Sequence, residues 1–488
     1  MQEAPGATPP VQNAADQAVY RQELKRTLGP AQVFAISFAF MSVAVGVFGT
    51  YDDVLQNAGP VGIWLWVIVA VGQTLVALVI AQFAARISLS GSSYQWASLL
   101  ANPRIGWGFG WLSFCYLAIG VVAVDNALAS QALMPLVGLG PDEDTARVIT
   151  LIVLLVQAVL AIASTRVVGM LNACAVVVEL SIVGVLVIAL SIAVATTGLG
   201  SADNLTSRGI AAGRADYFEI GGGLMLAMLM GLTTLVGFDA AANLAEEAKD
   251  PYRNVPRAIV GAVVTSGVLG LMFLIALTVA IPDVTRITQD ASPVATILRE
   301  QLGPMVETTL LIAIAFAFFA CGMVTIATGA RLVFAMSRDG RFPAHRLMRR
   351  VNPRTQTPIP ATILILAGGG VLMLVLPGDA LLPLITASTI LPILINGATV
   401  CLYQAVRGRL DRRQGAFDLG RFELPVAITA LIWLAVALFV LVTPAEALVP
   451  VLIVGGLILV GGLYFLGMLI FDRKALDSEP DAAPVFTH

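Results

Sequence analysis

The 488-residue chain is 58% hydrophobic and only 12% charged, with a mean hydropathy of +0.88. A soluble domain carries about 25% charged residues, so the composition excludes an ordinary water-soluble protein and makes membrane lipid the first expected partner. The net charge of -3 is small and gives no reason to expect a nucleic-acid partner.

Residues 1–28 are expected to form a disordered cytoplasmic tail, because residues 1–20 are rich in Ala, Pro and Gln. No apolar run precedes the charged Arg21–Arg26 stretch, so the tail does not read as a signal peptide. A spanning helix needs about 20 apolar residues. Twelve segments satisfy that length, near 31–57, 62–86, 106–135, 146–165, 169–197, 221–246, 257–281, 305–335, 358–377, 380–406, 424–443 and 448–471. Of the 28 Lys and Arg, only Arg147, Arg208, Arg214, Arg286 and Arg299 fall in the loops of one side. Cytoplasmic loops hold the excess of cations. The expected arrangement is therefore a multi-pass protein of the plasma (inner) membrane with both termini in the cytoplasm.

Span 1 has a weak point at Val43–Gly49, around Ala44, Val45, Gly46 and Val47, where the glycines either break the helix or only allow close packing. Asp52 and Asp53 follow within two turns; they either line an outer vestibule or sit in hydrated surroundings. In span 3, Tyr116 is a candidate site wall. Asp125 is a candidate for a substrate ammonium or for a polar partner on span 10, with hydration near the outer end as the alternative. Glu179 lies mid-way along span 5. Burial away from water penalises a charged carboxylate, so it is a candidate proton carrier, or else a hydrogen-bonding partner of span 1 or span 8.

Span 6 carries the strongest signal. Gly237, Phe238 and Asp239 interrupt it, and Glu246, Glu247, Lys249 and Asp250 end it. A charged residue at mid-membrane depth costs about 2.5–3.5 kcal/mol on insertion scales, which a plain anchor has no use for. Asp239 is expected to accept a substrate amine or to cap freed backbone N–H groups. Glu246 and Glu247 are expected to pair with Lys249, Arg253 and Arg257. With Arg331, Glu246 and Glu247 form either a cytoplasmic gate or a solvated helix end. Interrupted spans at matching positions of two halves mark a solute site at the bilayer midplane. An odd number of spans per half makes the second copy inverted. The halves are 29–200 and 201–406, followed by two further spans over 407–472 and a short cytoplasmic tail over 473–488.

Trp64, Trp66, Trp107 and Trp111 are expected as interfacial anchors. Cys115, Cys174, Cys321 and Cys401 lie in spans without a CxxC, so neither a disulfide nor a metal site is expected. Only His345 and His488 exist, and no nucleophile–base spacing or phosphate-binding loop occurs. An enzyme, an ATP-driven pump and a bound cofactor are not expected.

Four stretches resemble a known family. They are Gly237-Phe238-Asp239 with Ala245-Glu246-Glu247, Asp250-Pro251 and Val255–Ile259; Ser90–Ala97; Leu24–Gly29; and Ala330–Pro343. Together, over residues 24 to 470, they resemble the amino acid–polyamine–organocation (APC) superfamily, most closely its amino acid/choline branch. The resemblance implies an all-α membrane fold of twelve transmembrane helices. It has a LeuT-type 5+5 inverted repeat with helices 1 and 6 broken, plus two C-terminal helices. Substrate would sit between the two breaks, near spans 3, 8 and 10, with Phe238 closing over it, and transport would proceed by alternating access. Members that carry amino acids usually have a Gly-Ser/Thr-Gly run in helix 1. Here Ala44-Val45-Gly46-Val47 keeps one glycine and no hydroxyl. In proton-coupled relatives a span-5 lysine sits near the depth of Glu179. Span 8 has no hydroxyl near its middle before Thr325 and Thr328, which argues against sodium.

The expectation is a secondary active transporter for a small cationic or zwitterionic amine or amino acid, coupled to protons. A sodium-independent exchanger is the first alternative. A non-transporting sensor or a channel on the same fold is the second.

Overall fold

The computed structural model describes residues 26–140, 142–290, 292–375, 381–409, 417–444 and 447–471, with 473 and 476. The expected tails at 1–28 and 473–488 fall almost wholly outside these residues. The described chain is helical, and its only extended pairing is a single bridge between Leu28 and Ala248. Among the described residues, ten helices are long and apolar enough to cross a membrane. Two shorter apolar helices, Gly223–Thr234 and Ile359–Val375, stand where the sixth and ninth spans are expected. Such a chain is a multi-pass membrane protein.

The labels used below are α1 (Pro30–Met41), α2 (Val43–Asn57), α3 (Leu65–Ala84), α4 (Ser92–Leu100) and α5 (Pro103–Ala127). Next come α6 (Glu143–Ala163), α7 (Thr165–Thr197), α8 (Met228–Thr234), α9 (Ala240–Asn243) and α10 (Pro251–Val279). The last are α11 (Pro304–Arg338), α12 (Ile359–Val375), α13 (Leu381–Val406), α14 (Glu423–Val442) and α15 (Leu448–Phe471).

Helices in lipid associate through close packing and interhelical hydrogen bonds rather than through exclusion of water. The inner ring follows this rule. α10 packs on α3 and α1, while α5 packs on α11, α4 and α13. α11 is the most enclosed span and α15 the least, with Leu452, Leu463 and Phe471 of α15 directed outward. Trp66 and Trp107 correct an expectation: they are core residues. Trp66 donates to the Gly267 carbonyl and Trp107 to that of Arg341, so each indole N–H finds a buried acceptor. Trp64 stays exposed and Trp111 half-buried.

Both interruptions exist, but the first is displaced from its expected place. α1 stops at Met41 and α2 starts at Val43, with Ser42 between them at φ 29° and ψ 94°. Ala44, Val45, Gly46 and Val47 lie inside α2. Gly46 is a packing residue: a Cβ there would come within 2.1 Å of Thr234 Oγ1 on α8. The second interruption runs from Leu235 to Asp239, as expected. Gly237 takes φ 78° there, a left-handed backbone that glycine adopts without strain. α5 continues into a π-helical turn over Leu128–Leu133, a distortion frequent near functional sites.

Candidate functional site

Backbone groups freed by a break inside a membrane must be satisfied from within the protein. At the first break the partner is Glu179, whose Oε1 accepts from the Ala44 N–H at 3.0 Å and from Ser42 Oγ at 3.1 Å. Ser42, at the cap position of α2, makes no side-chain cap of its own. Glu179 of α7 therefore does the work of an N-cap, and the positive end of the α2 dipole favours its charge. Of the two roles open to Glu179, hydrogen bonding to span 1 is the one the contacts display. At the second break the stitch is Ser37 of α1. Its Oγ donates to the Phe238 carbonyl at 2.7 Å and accepts from the Ala241 N–H at 3.3 Å.

Between the breaks lies a cavity walled by α1, α4, α5, α9, α11 and α13. Its lining includes Phe40, Tyr116, Gly237, Asp239, Asn243 and Thr328. Ser93, Ser113 and Asn396 add polar groups. The free volume is about 20 Å³, and by that measure a water needs roughly 10–15 Å³. That space holds little more than one water. Among the described residues Asp239 is the one charged group of the lining, and its Oδ2 accepts from Ser92 Oγ at 3.0 Å. Tyr116 Oη and Thr328 Oγ1 are buried and have no protein partner. Each such group costs about 1–3 kcal/mol when unsatisfied, so the lining suits a polar ligand.

The other expected residues lie elsewhere. Phe238 is fully buried outside the lining, and the aromatic on the cavity wall is Phe40. The Phe40 ring lies 6.0 Å from that of Tyr116, and Gly237 leaves it room: a Cβ at 237 would meet the ring at 2.1 Å. Ala44, Val45, Gly46, Val47 and Asp52 are not in the lining. Asp125 pairs with Gln157 of α6 at 2.8 Å, not with α13, and is wholly buried rather than hydrated. Sequence reasoning missed Phe40, Asn243 and Asn396. Thr328 was noted only as a hydroxyl lying beyond the place a sodium site would need on span 8, although the residue lines the cavity.

The end of the molecule expected to face the cytoplasm is closed by charge pairs. Arg331 Nε meets Glu247 Oε1 at 2.8 Å, with both side chains almost fully buried, and Arg338 meets Glu246 at 3.1 Å. The expected pairing with Lys249, Arg253 and Arg257 is corrected: the partners come from α11. The Thr27 and Leu28 N–H groups donate to the Glu247 carbonyl, which pins the start of α1 to the end of the broken span. Beside these pairs, Tyr94 Oη donates to Asp339 at 2.6 Å, and Arg341 donates to Tyr94 and Ser98. The stretches Ser90–Ala97 and Ala330–Pro343 thus meet in one buried network.

A family model described as amino acid permease matches residues 28–449. The chain belongs to the amino acid permease family. This places it in the APC superfamily and makes it a transporter rather than an enzyme. It is similar to the amino-acid permease BAT1 of Arabidopsis thaliana, at 28% identity over 85% of this chain and 84% of the relative. It is similar to the BAT1 homolog of Oryza sativa, at 26% over 85% and 84%. The GABA-specific permease of Saccharomyces cerevisiae is 25% identical over 87% of this chain and 76% of its own length. In this permease the matched region takes in both breaks, the cavity and the ion-paired end.

Proposed function

We propose that the permease is a secondary active transporter of small zwitterionic amino acids, γ-aminobutyrate among them. It works by alternating access and is driven by protons. The twelve-helix count, the 5+5 inverted repeat and the cytoplasmic placement of both termini belong to the same proposal. The observation that carries it is the cavity between the two breaks, with one carboxylate and several neutral donors. Asp239 receives the substrate ammonium. Hydroxyl and amide groups of Ser93, Asn243, Thr328 and Asn396 receive its carboxylate. The first break is not the carboxylate site in this reading, because the Ala44 N–H already donates to Glu179. The names of the relatives support an amino acid as cargo. The paired Glu246, Glu247, Arg331 and Arg338 act as the cytoplasmic gate, which must part to release substrate.

The test is uptake into proteoliposomes of labelled γ-aminobutyrate, alanine, arginine and choline. Each is offered with and without an inward proton gradient in sodium-free buffer. Saturable, gradient-stimulated uptake of a zwitterion is the expected result. Uptake of choline alone, or of none of the four, contradicts the substrate class.

A further inference from the structure

Asp125 is not in the cavity lining, yet its surroundings are unusual. Its side chain is wholly buried at the junction of α5, α6 and α11. Oδ1 accepts one hydrogen bond, from Gln157 Nε2 at 2.8 Å, and the same Nε2 also donates to the Phe319 carbonyl at 3.1 Å. Oδ2 has no protein donor, and Gln157 Oε1, on the same amide, has none either. The carboxyl is pressed against α11 so closely that a Cβ on Gly322 would come within 2.2 Å of Oδ1. The π-helical turn begins three residues later.

Among the described residues, the groups on the elements packed against α5 leave Asp125 without a counter-charge. α12 and the π turn hold no titratable residue. On α6, Arg147 pairs with Glu143, and Asp144 is exposed. On α11, Glu307, Arg331 and Arg338 pair with Arg299, Glu247 and Glu246. Tyr94 of α4 bonds Asp339, Tyr403 of α13 is bonded by Arg86, Cys401 is exposed, and Tyr464 of α15 stacks on Trp107. Cys321, next to Gly322 on α11, donates its thiol to the Phe40 carbonyl.

A carboxylate buried with one neutral donor and no cation is far costlier than a neutral acid in the same place. Glu179 differs: two donors and a helix N-terminus support its charge. We propose that Asp125, held by Gln157 against Gly322, is a proton-binding site whose occupancy is linked to the tight packing of α5, α6 and α11. This goes beyond the assignment of a cavity, and its coupling role rests on the transport reading. The step is simple. Asp125 as a carboxylic acid releases one proton to water and becomes a carboxylate, and no other bond changes. The ionised form needs water or a cation at Oδ2, which the packed helices do not supply, so release requires them to separate. A proton that binds the packed state more tightly then favours that state by the same factor.

Infrared spectra of the reconstituted full chain test the site directly. The wild type is expected to show a protonated-carboxyl band that Asp125→Asn removes. Gln157→Leu is expected to shift the band, because it takes away the hydrogen bond to the carbonyl oxygen. Should Asp125→Asn fail to fold, the Gln157→Leu shift still decides. An identical band in wild type and variants overturns the proposal. A second arm measures gradient stimulation of amino acid uptake. It is expected to fall to about one-fold in Asp125→Asn while substrate exchange persists, and undiminished stimulation overturns the coupling role. Wild type that carries the band but moves no amino acid would sink the transport reading and leave the proton site standing.

Discussion

The two broken spans solve one physical problem in different ways. At Ser42 the break is short, and a buried carboxylate 137 residues away caps it. At Leu235–Asp239 the break is longer, and the hydroxyl of Ser37 stitches its backbone while its own acid, Asp239, reaches the cavity. One break is sealed by a partner from another span and the other is left with chemistry to offer. A break in a membrane helix is therefore a possible site, and the partner of its freed groups decides whether it becomes one.

The largest expected effect lies at the far end of the second broken span. Glu247→Gln removes the carboxylate that pairs with the buried Arg331, and breaking a buried pair costs about 3–5 kcal/mol. Denaturation of the purified protein should show that loss, with Glu247→Gln/Arg331→Met recovering most of it. No loss would mean that the span is anchored elsewhere. Next is Gly46→Val, which drives a side chain into Thr234. Overpacking of this kind costs about 1–3 kcal/mol, read in the same unfolding assay. A neutral result would return Gly46 to the break rather than to the packing. Ser37→Ala should cost about 1–3 kcal/mol, since it removes two hydrogen bonds worth about 0.5–1.5 kcal/mol each. It sharpens the comparison if substrate affinity falls with stability, because the stitch then also shapes the cavity. Smallest is Ser92→Ala, which removes one donor from Asp239. Its effect on affinity should stay within about tenfold, corresponding to one hydrogen bond of up to roughly 1.4 kcal/mol.

Much of this arrangement was legible in the sequence. Apolar length alone placed the first span at 31–57 against the observed Pro30–Asn57, because lipid demands an unbroken apolar run. Gly237 beside Asp239 marked the second break, since a breaker and an acid at mid-depth have no use in a plain span. The first break was misread by a few residues. Gly46 looked like a breaker, but in membranes glycine marks close helix contact just as often. Ser42 signals a break only through Glu179, and no local pattern links residues so far apart. The same holds for the gate: Glu246 and Glu247 were visible as an acidic pair, but Lys249 and the arginines after it were nearer in sequence than Arg331 and Arg338. Phe40 and Thr328 carried no signal of their own. An aromatic and a hydroxyl inside apolar spans become informative only once the helices surround a common space.

The central claim is that the first break is structural and the second is the substrate site. Titrating purified Glu179→Gln and Asp239→Asn with γ-aminobutyrate and alanine, with thermal unfolding measured on the same samples, tests it most directly. The account predicts that Glu179→Gln lowers the unfolding temperature with dissociation constants within a few-fold of wild type. Asp239→Asn should keep its stability and bind at least about tenfold more weakly, as loss of a charged hydrogen bond worth about 1.5–3 kcal/mol requires. Binding lost in Glu179→Gln with stability intact, or wild-type affinity in Asp239→Asn, would contradict it.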